Sequence, residues 1–197
     1  MKIKTIILAA AIIATTGAMT DASAQFTITP GTAIRFGYNF TTIEGTAVSG
    51  KWKSGLNVGV TTDKPLFRNI VTRYGVYLSL KGFHKYCGQD EYYKCNYNYL
   101  EVPILAVYQK AIGNKYKLEL QVGPYFSYGL FGKSESPCYN QKYKTFDEYK
   151  RFDWGANAGF GINISHFYIG SSYDFGFVSI IHHALNHCIM ANVGYVF

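Results

Sequence analysis

His182, His183, His187 and Cys188 bring imidazole and thiol groups close together, the donor set of zinc and copper sites. His183 and His187 stand four apart, a spacing that aligns ligands on a helix. The segment reads instead as a loop entering a strand, where His187 and Cys188 point to opposite faces. It is read as rim histidines beside a cysteine, and no metal is expected. A second group is ionic: Arg35, Arg73, Lys81, Glu101, Glu119 and Asp174. Glu101 and Glu119 fall on neighbouring strands, and a close carboxylate pair is an acid–base arrangement. Charges crowded into a narrow interior must pair, because an isolated buried ion costs several kcal/mol. The set is therefore expected to be a lumen charge network, a structural plug of salt bridges. No nucleophile elbow, phosphate loop or ordered Ser-His-Asp grouping is present, so no catalytic residue and no cofactor are expected.

Two further residue types carry chemistry. Cys87 and Cys95 fall in one connection, Cys138 in another and Cys188 at the end of the last strand, all on one side of the barrel inferred below. An even number in an exported chain predicts disulfides, and four cysteines allow three pairings. Cys87–Cys95 is favoured because it closes a short loop, and Cys138–Cys188 because it ties the longest loop to the rim. Tyr92, Tyr93, Tyr97, Tyr139, Tyr143 and Tyr149 are interleaved with Lys and Asn in the long connections. Tyr offers rigid contact area at low entropic cost, which suits recognition of a protein or glycan. Folding of these loops over the barrel mouth is the equal alternative.

The elements that position these residues are strands. From Asp153 to Ile164, Trp154, Ala156, Ala158, Phe160, Ile162 and Ile164 alternate with Asp153, Gly155, Asn157, Gly159, Gly161 and Asn163. In a strand these sets face opposite sides, one apolar and the other polar or glycine. The split recurs around Ile34–Phe40, Leu56–Thr61, Arg73–Lys81, Leu118–Gly129, Phe167–Phe175 and Ile189–Phe197. Tyr99–Tyr108 is apolar on both faces apart from Glu101. Eight strands result. Bulky residues opposite small and polar ones suit a membrane barrel, with lipid outside and a filled polar lumen. A soluble lipocalin-like barrel would reverse the faces, and a soluble sandwich would also alternate. Eight strands of about 10 residues leave room for loops, whereas sixteen would not. Short connections are expected at 63–65, 112–115 and 165–166, and long ones at 41–51, 83–98, 131–152 and 176–186. This alternation predicts that the long loops face outward and both termini lie in the periplasm. Aromatic belts are expected at Tyr74, Tyr108, Tyr116, Phe167, Tyr195 and Phe197, and at Phe40, Trp52, Phe83, Tyr128, Trp154 and Phe175.

Lys2 and Lys4, an apolar run from Ile6 to Ala14 and the small-x-small site Ala22-Ser23-Ala24 read as a signal peptide over 1–24, leaving 25–197 as one barrel domain. The 197 residues are 48% hydrophobic but only 16% charged, and the net charge of +7 is dispersed along the chain. Lys142, Lys144, Lys150 and Arg151 are interrupted by Asp147 and Glu148. No basic stripe is legible, so nucleic acid is not an expected partner.

Tyr99-Leu100-Glu101-Val102-Pro103, Gly123-Pro124-Tyr125, Lys81-Gly82, Asp153-Trp154-Gly155, Gly159-Phe160-Gly161 and the terminal Phe197 resemble the PorT-like outer-membrane β-barrel family of Bacteroidetes. The likeness covers essentially the whole of 25–197. It departs in lacking an acidic residue before Lys81 in strand three, and in having Ser172 before Tyr173 where a basic residue is common. The resemblance implies an integral outer-membrane barrel in contact with outer-membrane lipid, with the terminal aromatic read by the outer-membrane assembly machinery. It gives a fold and an address rather than a role. The expected role is structural or interactive, through surface recognition of a protein or glycan or in association with secretion. A narrow solute channel and a lipid-modifying enzyme are the alternatives.

Overall fold

Period-two patterning becomes a closed wall in the computed structural model, which describes residues 31–45, 50–86, 92–136, 141–179 and 184–197. The segment expected to be a signal peptide lies outside them. The barrel strands are β1 (Thr32–Gly45), β2 (Lys51–Phe67), β3 (Ile70–Tyr86), β4 (Tyr92–Ile112) and β5 (Tyr116–Phe131), followed by β8 (Phe152–Ile164), β9 (Phe167–Gly176) and β10 (Ala184–Val196). Between β5 and β8 lie the short strands β6 (Lys133–Ser136) and β7 (Gln141–Lys144) and one helical turn, α1 (Thr145–Glu148). Each barrel strand pairs antiparallel with its neighbours, β1 with β10, and β3 with β4 closing the ring. Closure leaves no strand edge for lipid to meet unpaired.

The sides are sorted as alternation requires. Phe160 is 64% exposed and Leu120 61%, while Arg73 and Glu119 inside are 2% exposed. Burying a side chain of that size is worth about 1.5–3 kcal/mol, so an exposed apolar wall of this extent is stable only against hydrocarbon. On β4, Tyr99, Glu101, Pro103, Leu105 and Val107 face inward, so apart from Glu101 the stretch 99–108 is apolar on both faces.

The connections correct several expectations. The short turns fall at Arg68-Asn69, 113–115 and Ser165-His166, with positive φ at Arg68, Gly113 and Ser165. The first lies beyond the expected 63–65, because β2–β3 pairing continues past Asp63↔Arg73 to Phe67↔Ile70. The first and last described residues meet at this short-turn end, where Gly31 N–H donates to Phe197 O at 3.3 Å. At the other end β3 and β4 run on as a ladder to Tyr86↔Tyr92, so much of the expected 83–98 loop is strand. Phe83 follows Lys81 by two residues and therefore points inward at 1% exposure; it does not belong to the lipid belt. β6 pairs with β4 and β7 with β6, so the ladder widens into a sheet standing beyond the barrel wall.

Candidate functional site: the lumen and its mouth

Strand parity delivers to the lumen all six of the expected charged side chains, Arg35, Arg73, Lys81, Glu101, Glu119 and Asp174, each at most 4% exposed. Register sorts them into two clusters. Toward the short-turn end, Arg73 forks onto Asp63, Nε to Oδ1 and Nη2 to Oδ2, both at 2.7 Å. Its Nη2 also reaches Glu119 Oε2 at 2.8 Å, and Nη1 donates to Gln121 at 3.2 Å. Gln109 and Asn163 donate to Glu119 Oε1 at 2.8 and 2.5 Å, saturating the carboxylate. Arg35 donates to Thr61 at 3.0 Å and lies 3.8 Å over the Tyr168 ring. That ring fits because Gly170 faces it: a Cβ there would come within 2.2 Å of Tyr168 Oη.

Further along, Lys81 Nζ lies 2.6 Å from Glu101 and 3.2 Å from Asp174. Asn157 donates to Asp174 at 2.6 Å, and Asp153 accepts from Asn186 at 3.2 Å and from Tyr125 at 3.4 Å. The chain Arg73–Gln121–Asn157–Asp174 joins the clusters. Charge-assisted, multiply bonded ions of this kind rigidify an interior more than they stabilise it. Glu101 and Glu119 do not form a carboxylate pair. Glu101 stands opposite Ser127 and Glu119 opposite Gln109, eight residues further along β4, or about 26 Å at strand rise. Asp63, Gln121, Asp153 and Asn157 were not among the expected site residues. Parity alone places Gln121, Asp153 and Asn157 on the polar face, whereas Asp63 falls in an expected turn that the β2–β3 pairing takes into the strand.

The long-connection end is closed by aromatic packing. Ile43, Phe83, Tyr97, Tyr99, Phe146 and Tyr149 form a buried cluster, with Tyr93 packed against it. Phe83 contacts Tyr93, Tyr97 and Tyr149 at ring separations of 6.0–6.4 Å. Tyr97 is 1% exposed and Tyr149 6%, so neither offers a surface to an outside ligand. This corrects the reading of both as loop recognition residues: Tyr97 is an inward strand residue, and Tyr149 folds under the sheet. Tyr93 Oη lies 2.5 Å from Tyr143 Oη and 3.3 Å from Tyr149 Oη, so these phenols bond to one another. Burial raises Tyr93 and Tyr149 above the ordinary phenol range. Tyr92 lies in β4, and Tyr139 is outside the described residues.

The cysteines also differ from expectation. Cys95 and Cys188 carry free thiols, both fully buried. Alternation puts each on the inner face: Cys95 stands opposite Ser134, whose hydroxyl donates to its sulfur at 3.3 Å, and Cys188 stands opposite Asp174. Burial holds the Cys95 thiol above its ordinary pKa. The favoured Cys87–Cys95 and Cys138–Cys188 bonds are thus not formed; Cys87 and Cys138 themselves lie outside the described residues. His182 and His183 also lie outside them. Among the described residues no three His, Cys, Asp or Glu side chains gather into a metal-holding group.

The described residues also line cavities. One of about 390 Å³ opens at the short-turn end, lined by Ala33, Arg35, Asp63, Arg73, Glu119 and Asn163. Another, between the clusters, holds about 30 Å³, room for about one water. The lumen among the described residues is a vestibule ending in a salt-bridged floor.

Residues 24–182 match the family described as outer membrane protein beta-barrel domain. The chain belongs to that family. No curated protein is similar in sequence to this outer-membrane barrel. Among solved structures it is similar to Neisserial surface protein A, with 9% identity over 85% of this chain and 97% of that one, at a TM-score of 0.50. It is similar also to OprG from Pseudomonas aeruginosa, with 11% identity over 86% and 97%, and to the outer membrane enzyme PagL, with 10% identity over 82% and 99%; both TM-scores are 0.51. At such identities the likeness is one of fold. Together, family and fold make this a small outer-membrane β-barrel.

Proposed function

We propose that this barrel is a plugged, non-enzymatic outer-membrane protein whose working surface is the sheet and connections at its long-connection end. That end faces the exterior, and both termini lie in the periplasm. The observation that carries the reading is the lumen: two linked salt-bridge clusters separated by a space of about 30 Å³, under an aromatic cap. Such an interior supports no solute path, which leaves the exterior for function. At the rim, His187 Nδ1 lies 2.6 Å from Tyr173 Oη, so this histidine is engaged by a phenol rather than by a serine nucleophile. The partner class is an extracellular protein or glycan, and the terminal Phe197 serves recognition by the assembly machinery. Membership of the PorT-like branch, with a secretion-associated role, is the finer form of the same proposal.

The test is conductance of the purified chain in planar bilayers. The wild type is expected to show no sustained steps, whereas regular unitary steps would replace this reading with that of a narrow channel. Orientation is tested by proteolysis of intact cells, which is expected to cut only in the long connections.

A further inference from the structure

Strand pairing builds across the chain a basic row that is invisible along it. Lys51 stands opposite His84, His84 opposite Lys94, Lys94 opposite Glu135 and Glu135 opposite Lys142, in one line over β2, β3, β4, β6 and β7. A second line runs beside it: Lys53 bonds to the Asn96 side chain, Asn96 donates to Lys133 O, and Lys133 stands opposite Lys144. The alternate residues Phe83, Cys95 and Ser134 pack inward, so these lysines project outward. Glu135 is the one carboxylate in the two lines, and it is held by Lys142 at 3.2 Å. Lys133 and Lys144, both exposed, are like charges directly opposed in a ladder, an arrangement that a bound anion relieves. Burial first, then Lys53 and Lys94, lowers the His84 imidazole, a sign of positive crowding.

The location selects the anion. The outward faces of β3, β4 and β5 below these lines carry Leu80, Ile104, Phe126 and Tyr128, the lipid-facing wall. By strand parity and pairing the basic face continues the outward side of that wall beyond its apolar residues, so it points away from the barrel axis as the wall does. We propose that it binds the phosphate groups of glycolipid headgroups in the outer leaflet. This rests on the long-connection end facing outside. Attraction of several lysines to a phosphate-rich surface is additive at short range and screened by salt.

The test uses the full chain folded in detergent micelles, where the readout does not depend on orientation in cells. The probes are bisphosphorylated lipid A and the same lipid with both phosphates removed, with retention measured by native mass spectrometry. The wild type is expected to prefer the phosphorylated form by more than about tenfold. Lys94→Gln/Lys133→Gln/Lys144→Gln is expected to bring that preference to within about twofold while keeping the folded gel band. Lys64→Gln/Lys110→Gln, at the opposite end, is expected to keep it. Should the triple variant not fold, Lys133→Gln and Lys144→Gln singly are each expected to reduce the preference about threefold. Equal retention of the two lipids by the wild type, or an undiminished preference in the folded triple variant, overturns the proposal. Heparin binding without lipid A preference overturns it in favour of a soluble polyanion. A retained preference with reversed topology in cells overturns the lipid source and leaves the anion chemistry standing.

Discussion

Lys81 shows what a single buried cation does in this barrel. It lies between Glu101 and Asp174, with Asp153 held nearby by Asn186 and Tyr125. Lys81→Met leaves those carboxylates without their counter-ion and is expected to cost about 3–5 kcal/mol, measured by urea unfolding in micelles. Lys81→Met/Asp174→Asn is expected to recover part of that loss; an additive double variant would show that the two do not interact. Cys95 and Cys188 give a second prediction at this scale. In the Cys87→Ser/Cys138→Ser protein both remaining thiols are expected to resist maleimide at pH 7.5 until denaturant exposes them, because both are buried and Cys95 is also held protonated by burial. Rapid labelling of the folded form would show an open mouth. The inward face of Asp174 and Glu101 was legible from parity, but their shared partner was not. Which side chain meets Lys81 depends on register around a closed ring, and Asp174 is distant from it in sequence.

At the scale of elements, the strands do two jobs along one length. Over the apolar band their outward residues meet lipid, as Leu120 on β5 does at 61% exposure. Leu120→Arg is expected to cost about 2–4 kcal/mol in lipid vesicles if the residue sits near the midplane. Gln121→Ala, one residue on, removes the bridge between Arg73 and Asn157 and is expected to loosen the lumen without affecting insertion. The two variants therefore separate the faces: the first should lower folding yield in vesicles, and the second only unfolding resistance. β3 and β4, at 17 and 21 residues, exceed the 9–11 needed to span. The surplus makes the sheet that carries both the aromatic cap and the outward lysines. Sequence patterning stopped short here because the outward alternates on β4, Asn98, Asn96 and Lys94, are polar, so an exposed ladder and a loop look alike.

For the whole molecule, closure without an edge predicts slow unfolding in detergent. Unheated samples are expected to migrate ahead of boiled ones on gels, and identical bands would remove the closed barrel. The sidedness of the wall and the count of eight barrel strands were written in the sequence, because a period of two is a local property that each strand expresses alone. Partnership was not. Asp63 with Arg73, the buried thiols, the tyrosines turned into a cap and the lysines aligned over β2, β4, β6 and β7 all arise from which residue stands across from which. That register is set only when the ring closes, since shifting any strand by one residue would exchange its faces and a shift of two would change every neighbour.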